Sequence, residues 1–156
     1  MLTLDFSTIF RDIHPLTTHF PIALLVTSFF LDVLTRFRNN QTVLKQASSI
    51  TLLLGVIAAI VTIITGNISL LVLGGEDTPI GQLVSTHESI AVLTTLIFVG
   101  LAVWLVNNRR KGKEVGNSNI FLALEIIGVV GLVLTGLAGG NLVYTYGVGV
   151  QNPPLP

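Results

Sequence analysis

Residues Ser48 to Leu73 read SSITLLLGVIAAIVTIITGNISLLVL, 26 residues with no charged side chain. A bilayer hydrocarbon core about 30 Å thick is crossed by roughly 20 apolar residues in a helix. The stretch is rich in Val, Ile and Thr, which favour strands in water. In lipid each backbone N–H and C=O must find its partner within the segment, so the helix prevails over propensity.

Working outward, three more segments satisfy the same test: about Pro15 to Thr35, Thr86 to Val106, and Ile120 to Val143. The second span is the quoted stretch, about 48–73. Residues 1–156 thus read as a single all-α transmembrane domain, a four-helix bundle. Composition agrees. Hydrophobic residues make up 51% and charged residues 10%, whereas a soluble domain carries about 25% charged. There is no cysteine, which excludes disulfides and thiolate metal sites. No basic stripe with interleaved aromatics is present, which argues against nucleic acid as a partner.

The connectors set the expected orientation. Arg36, Arg38 and Lys45 fall between spans one and two; Arg109, Arg110, Lys111 and Lys113 fall between spans three and four. The positive-inside bias places both connectors in the cytoplasm. Both termini and the Gly74–Ser85 connector then face outward, in a bacterial inner membrane or a thylakoid. The first apolar run has no basic stretch before it and no small-residue cleavage site after it, unlike a signal peptide. Apolar positions 2, 6, 9, 10 and 13 suit a short interfacial helix on the outer surface; a frayed N-terminus is the alternative.

All three histidines, His14, His19 and His87, fall at the outer ends of spans one and three. Pro15 suits the first turn of a helix, which puts His14 at the interface and His19 about 7.5 Å deeper. Ser85-Thr86-His87-Glu88 has the form of a capping box and puts His87 in the first turn of span three. Spans one and three run parallel, so His19 and His87 are expected at comparable depth. Two imidazoles from different helices suit the axial positions of a b-type haem. The same pair suits Cu or Zn, with His14 or Glu88 as a third ligand. The plainer reading makes them interfacial hydrogen-bonding residues.

Asp32, four residues before Arg36, reads as an i,i+4 ion pair. Glu125, inside span four, reads as a snorkelling, paired or proton-carrying group. Both are expected far from the histidines. Gly128, Gly131, Gly136, Gly139 and Gly140 line span four and allow close helix approach or room for a flat cofactor. Thr65-Gly66-Asn67 does similar work in span two, or breaks the helix there.

The run from His14 to Leu24, HPLTTHFPIAL, resembles the HPxxxHFPIAL opening of domain-of-unknown-function family 2231, bacterial four-span membrane proteins. The resemblance extends to Asp32, Thr65-Gly66, His87 and the ending from Gly139 to Val150, which is similar to the family's GGxLVYxxGVGV close. It implies four spans and an outward histidine cluster. Some relatives are joined to Rieske or cytochrome c modules, which implies electron transfer. Many carry His where this chain has Tyr146; Tyr144 and Tyr146 are then expected to fold back over the outer face as neighbours of the site.

Three functional expectations follow. The first is a membrane electron-transfer subunit binding haem b through His19 and His87, with His14 beside them. It would exchange electrons with quinone or with a periplasmic or lumenal carrier, and would not be an enzyme on its own. The second is a non-catalytic scaffold subunit of a larger respiratory or photosynthetic complex. The third, a small metal-handling or transport protein, lacks a charged pathway and an inverted repeat of polar breaks.

Overall fold

The computed structural model describes residues 6–38, 42–73, 79–113 and 118–148. It contains four α-helices: α1 (Phe6–Thr35), α2 (Thr42–Leu73), α3 (Pro79–Arg110) and α4 (Asn119–Tyr144). All four are long and apolar enough to cross a membrane. The chain is an integral membrane four-helix bundle with no strand among the described residues.

Most helices exceed the spans read from hydropathy. At 1.5 Å per residue, the 32 residues of α2 and of α3 extend about 48 Å, well beyond a hydrocarbon core of about 30 Å. The polar flanks continue the helices because every residue added there gains a backbone hydrogen bond. The expected start of span three at Ser85 is corrected accordingly. The helix starts at Pro79, a residue suited to the first helical position. Thr86 Oγ1 donates to the Gln82 carbonyl at 2.9 Å, so the supposed capping box lies in a helix interior. The separate interfacial helix is likewise corrected: from Phe6 onward, the residues assigned to it belong to α1 itself. Residues 2–5 lie outside the described residues. Thr65-Gly66-Asn67 does not interrupt α2; Asn67 Nδ2 donates back to the Ile63 carbonyl at 3.0 Å.

Pro15 and Pro21 both lie inside α1. A proline removes the donor to the carbonyl four residues earlier. For Pro21 that carbonyl belongs to Thr17, and the Thr62 hydroxyl of α2 donates to it at 3.2 Å. The neighbouring helix thus repairs the bond, as lipid demands.

Helix α1 packs along α2, and α3 along α4, as two antiparallel hairpins. The contacts α1–α4 and α2–α3 join the hairpins, while α1 and α3 lie diagonally opposite without backbone contact among the described residues. The core holds Leu25, Leu52, Val56, Phe98, Leu101, Ala102, Leu105 and Phe121. Close packing depends on two glycines. A Cβ on Gly55 would lie 2.6 Å from Leu25, and one on Gly128 would lie 2.6 Å from Phe98.

These two contacts are equivalent. Adding 73 to Leu25 and Gly55 gives Phe98 and Gly128. The same offset takes His14 to His87, Thr62 to Thr135, Gly66 to Gly139, and Arg36 to Arg109. The second hairpin therefore repeats the first, in the same direction across the membrane. This is a parallel repeat of the kind related by an axis along the membrane normal.

Candidate functional site

The inner face of α1 carries His14, Thr17, Pro21, Leu25, Ser28, Asp32 and Thr35, a helical stripe at three- and four-residue spacing. His14 heads the stripe. His19 is five residues on, a rotation of about 140°, and is exposed. Its Nδ1–H donates to the Pro15 carbonyl at 3.0 Å, a bond within its own helix.

The structure brings His14, not His19, to His87. The two ring centres are 6.4 Å apart with an interplanar angle of 79°. Both rings are half-buried. The expected pairing of His19 with His87 is corrected by the extension of α1 through Pro15. One more turn of helix carries His14 to the bundle interior, and His19 faces outward.

Each ring is held the same way. His14 Nδ1 lies 3.0 Å from the Thr62 carbonyl of α2, and His87 Nδ1 lies 3.1 Å from the Thr135 carbonyl of α4. A carbonyl only accepts, so Nδ1 carries the proton in both rings. In the neutral form of such a ring, Nε2 keeps a lone pair that this bond does not use. Backbone orientation of the distal nitrogen is the usual support of a metal-ligating histidine.

Glycines seat both rings. A Cβ on Gly66 would stand 3.0 Å from His14 Cε1, and one on Gly139 would stand 3.0 Å from His87 Cε1. Beneath His14, the hydroxyls of Thr17 and Thr65 are 3.0 Å apart, and Thr65 Oγ1 lies 3.5 Å from His14 Nδ1. Sequence reasoning assigned Gly66 and Gly139 to packing or to cofactor room; they do their packing against the imidazoles.

Glu88 follows His87 and lines a shallow groove on α3 with Ser89, Val92, Leu93 and Leu96. Among the described residues no three His, Asp or Glu side chains gather as a metal site. Tyr144 is 85% exposed and Tyr146 45%. Both stand at the end of α4. Gly147 adopts φ +65°, and the amides of Gly147 and Val148 return to the carbonyls of Val143 and Leu142. The 5→1 bond from Gly147 to Val143 is that of an αL-type helix cap. The rest of the tail, from residue 149, lies outside the described residues.

The opposite end of the bundle carries the basic connectors. Arg36 donates to Asn119 Oδ1 at 3.0 Å and to the Ser118 carbonyl at 2.9 Å. It lies 3.7 Å from Asp32, as the i,i+4 spacing implies. Asp32 and Glu125 are far from the histidines, as read from the sequence.

No curated protein and no solved structure is similar enough to this chain to match it. The model of the family described as predicted membrane protein (DUF2231) matches residues 11–152. That span takes in all four transmembrane helices and both histidines of the central pair, and the chain belongs to this family.

Proposed function

We propose that His14 and His87 are the two axial ligands of a b-type haem, and that the protein is a membrane electron-transfer subunit. The observation that carries this is the ring separation. A first-row metal holds an imidazole nitrogen at about 2 Å, so rings ligating one ion from opposite sides have centres about 6 Å apart. The observed value is 6.4 Å. The pair joins α1 and α3 across the bundle axis, where the two hairpins face each other.

The donor set favours haem over a bare ion. Two neutral imidazoles leave a Zn or Cu ion short of the three or four protein ligands it ordinarily takes. A porphyrin supplies four nitrogens of its own and asks the protein for two. With both axial positions filled by imidazole no site remains for a substrate, which suits electron transfer. The positive-inside bias places the haem end on the non-cytoplasmic side, with both termini. A periplasmic or lumenal carrier, or quinone, is then the exchange partner. Copper or zinc at the same pair is the second reading.

The test is the full chain produced with an adequate haem supply and purified in detergent. A reducible Soret band at one haem per chain, lost in His14→Ala and in His87→Ala but kept in His19→Ala, is the expected result. A colourless protein that binds neither added haemin nor copper ends the cofactor reading.

A further inference from the structure

Asp32 of α1 and Glu125 of α4 meet near the basic end of the bundle. Asp32 is 6% exposed and Glu125 is fully buried. The two acids face each other where α1 contacts α4, beside Arg36, which bridges the helices to Ser118 and Asn119. Neither Glu125 oxygen has a hydrogen-bond partner, and neither has Asp32 Oδ2, which lies 3.7 Å from Arg36 Nη2; the buried Nε of Arg36 is unpartnered as well. Two acceptors facing one another at this depth need a proton between them, because like charges so close in a low dielectric do not both ionise.

The surrounding charges reach the same balance. Arg36 on α1 is the nearest cation, and Lys45 on α2 acts on Asp32 from further away. Arg109 on α3 is engaged with Ser49. Arg36 offsets one carboxylate; a proton neutralises the other.

The internal repeat shows that packing does not call for acids here. Seventy-three residues from Asp32 stands Leu105, and 73 residues before Glu125 stands Leu52. Both leucines are buried in the core. The α1–α4 interface thus carries two carboxyl groups where the equivalent α2–α3 interface carries two leucines.

We propose that Asp32 and Glu125 form a proton-binding site, one proton held between the two carboxyl groups and exchanged with water at the basic end. On uptake, water gives up a proton and one carboxylate becomes a carboxylic acid that donates to its neighbour. On release, the proton returns to water and leaves two carboxylates facing Arg36 and Lys45. The site is independent of the haem reading, since Asp32 lies 18 residues along α1 from His14, about 27 Å.

Infrared spectroscopy of the full chain in lipid nanodiscs tests this. At neutral pH a protonated-carboxyl C=O band is expected that shifts in D2O and disappears in Glu125→Gln. The double variant Asp32→Leu/Glu125→Leu, which copies the leucine pair, is expected to fold with an unchanged or higher melting temperature and without the band. Absence of the band from the native chain, or its persistence in Glu125→Gln, overturns the proposal. So does a leucine-pair variant that fails to fold, because the carboxyl groups would then be packing elements.

Discussion

His14 and His87 hold equivalent places in the two hairpins, and their rings meet 6.4 Å apart, nearly perpendicular. Each donates through Nδ1 to the carbonyl of the threonine 48 residues downstream, Thr62 or Thr135. A site built from two copies of one motif makes symmetrical demands on them, and its variants should respond in pairs.

On the proposed haem ligation, replacing His87 with Met would keep a ligand for the iron and exchange imidazole for thioether. Methionine–histidine ligation raises the reduction potential of a haem. His87→Met is therefore expected to retain colour with a more positive midpoint in redox titration, and His14→Met to behave alike.

Gly66→Ala and Gly139→Ala each place a methyl group 3.0 Å from an imidazole carbon. Both should weaken haem retention, to a similar extent, by displacing the ring. A haem-titration series that finds one position sensitive and the other silent would break the equivalence.

Gly128→Ala sets a Cβ 2.6 Å from the fully buried Phe98, whereas a Cβ on Gly136 meets nothing within 4 Å. Overpacking of this kind costs about 1–3 kcal/mol. Gly128→Ala should lower the melting temperature of the purified protein, and Gly136→Ala should leave it unchanged.

Much of the architecture was legible in the sequence. Four apolar runs of spanning length, and a charge content far below that of soluble domains, leave few alternatives to a helical bundle. The identity of the histidine pair was less accessible. A helix begun at Pro15 by the usual preference leaves His14 outside it and makes His19 the expected interior residue. The stripe His14, Thr17, Pro21, Leu25, Ser28, Asp32, Thr35 was nevertheless present, and followed back one turn it points to His14. The repeat was also open to inspection. Comparing the chain with itself at an offset of 73 aligns histidine, threonine, glycine and arginine with their own kinds. What the sequence could not show is the meeting of Asp32 and Glu125, which are 93 positions apart and share no motif.

The bond from the Thr62 hydroxyl to the Thr17 carbonyl exists because Pro21 has no N–H to give. Thr62→Val should destabilise the bundle by about 0.6–1.5 kcal/mol, the range for interhelical hydrogen bonds in membranes. In a Pro21→Ala background the amide returns and the same change should cost less. A double-mutant cycle from reversible unfolding in detergent reads the coupling.

The chain has no cysteine, so single cysteines report topology without a background. Lys111→Cys should label only from the cytoplasmic side, and Thr145→Cys only from the opposite side. The reverse pattern would place the histidine pair against the cytoplasm and exclude an exterior electron carrier as its partner.

Electron paramagnetic resonance of the ferric protein tests the central claim most directly, because it reads both the ligands and their relative orientation. Two imidazoles at 79° predict a low-spin, highly anisotropic signal that is lost in both His14→Ala and His87→Ala. A high-spin signal in the native chain, or a low-spin signal unaffected by those two substitutions, would contradict ligation by this pair.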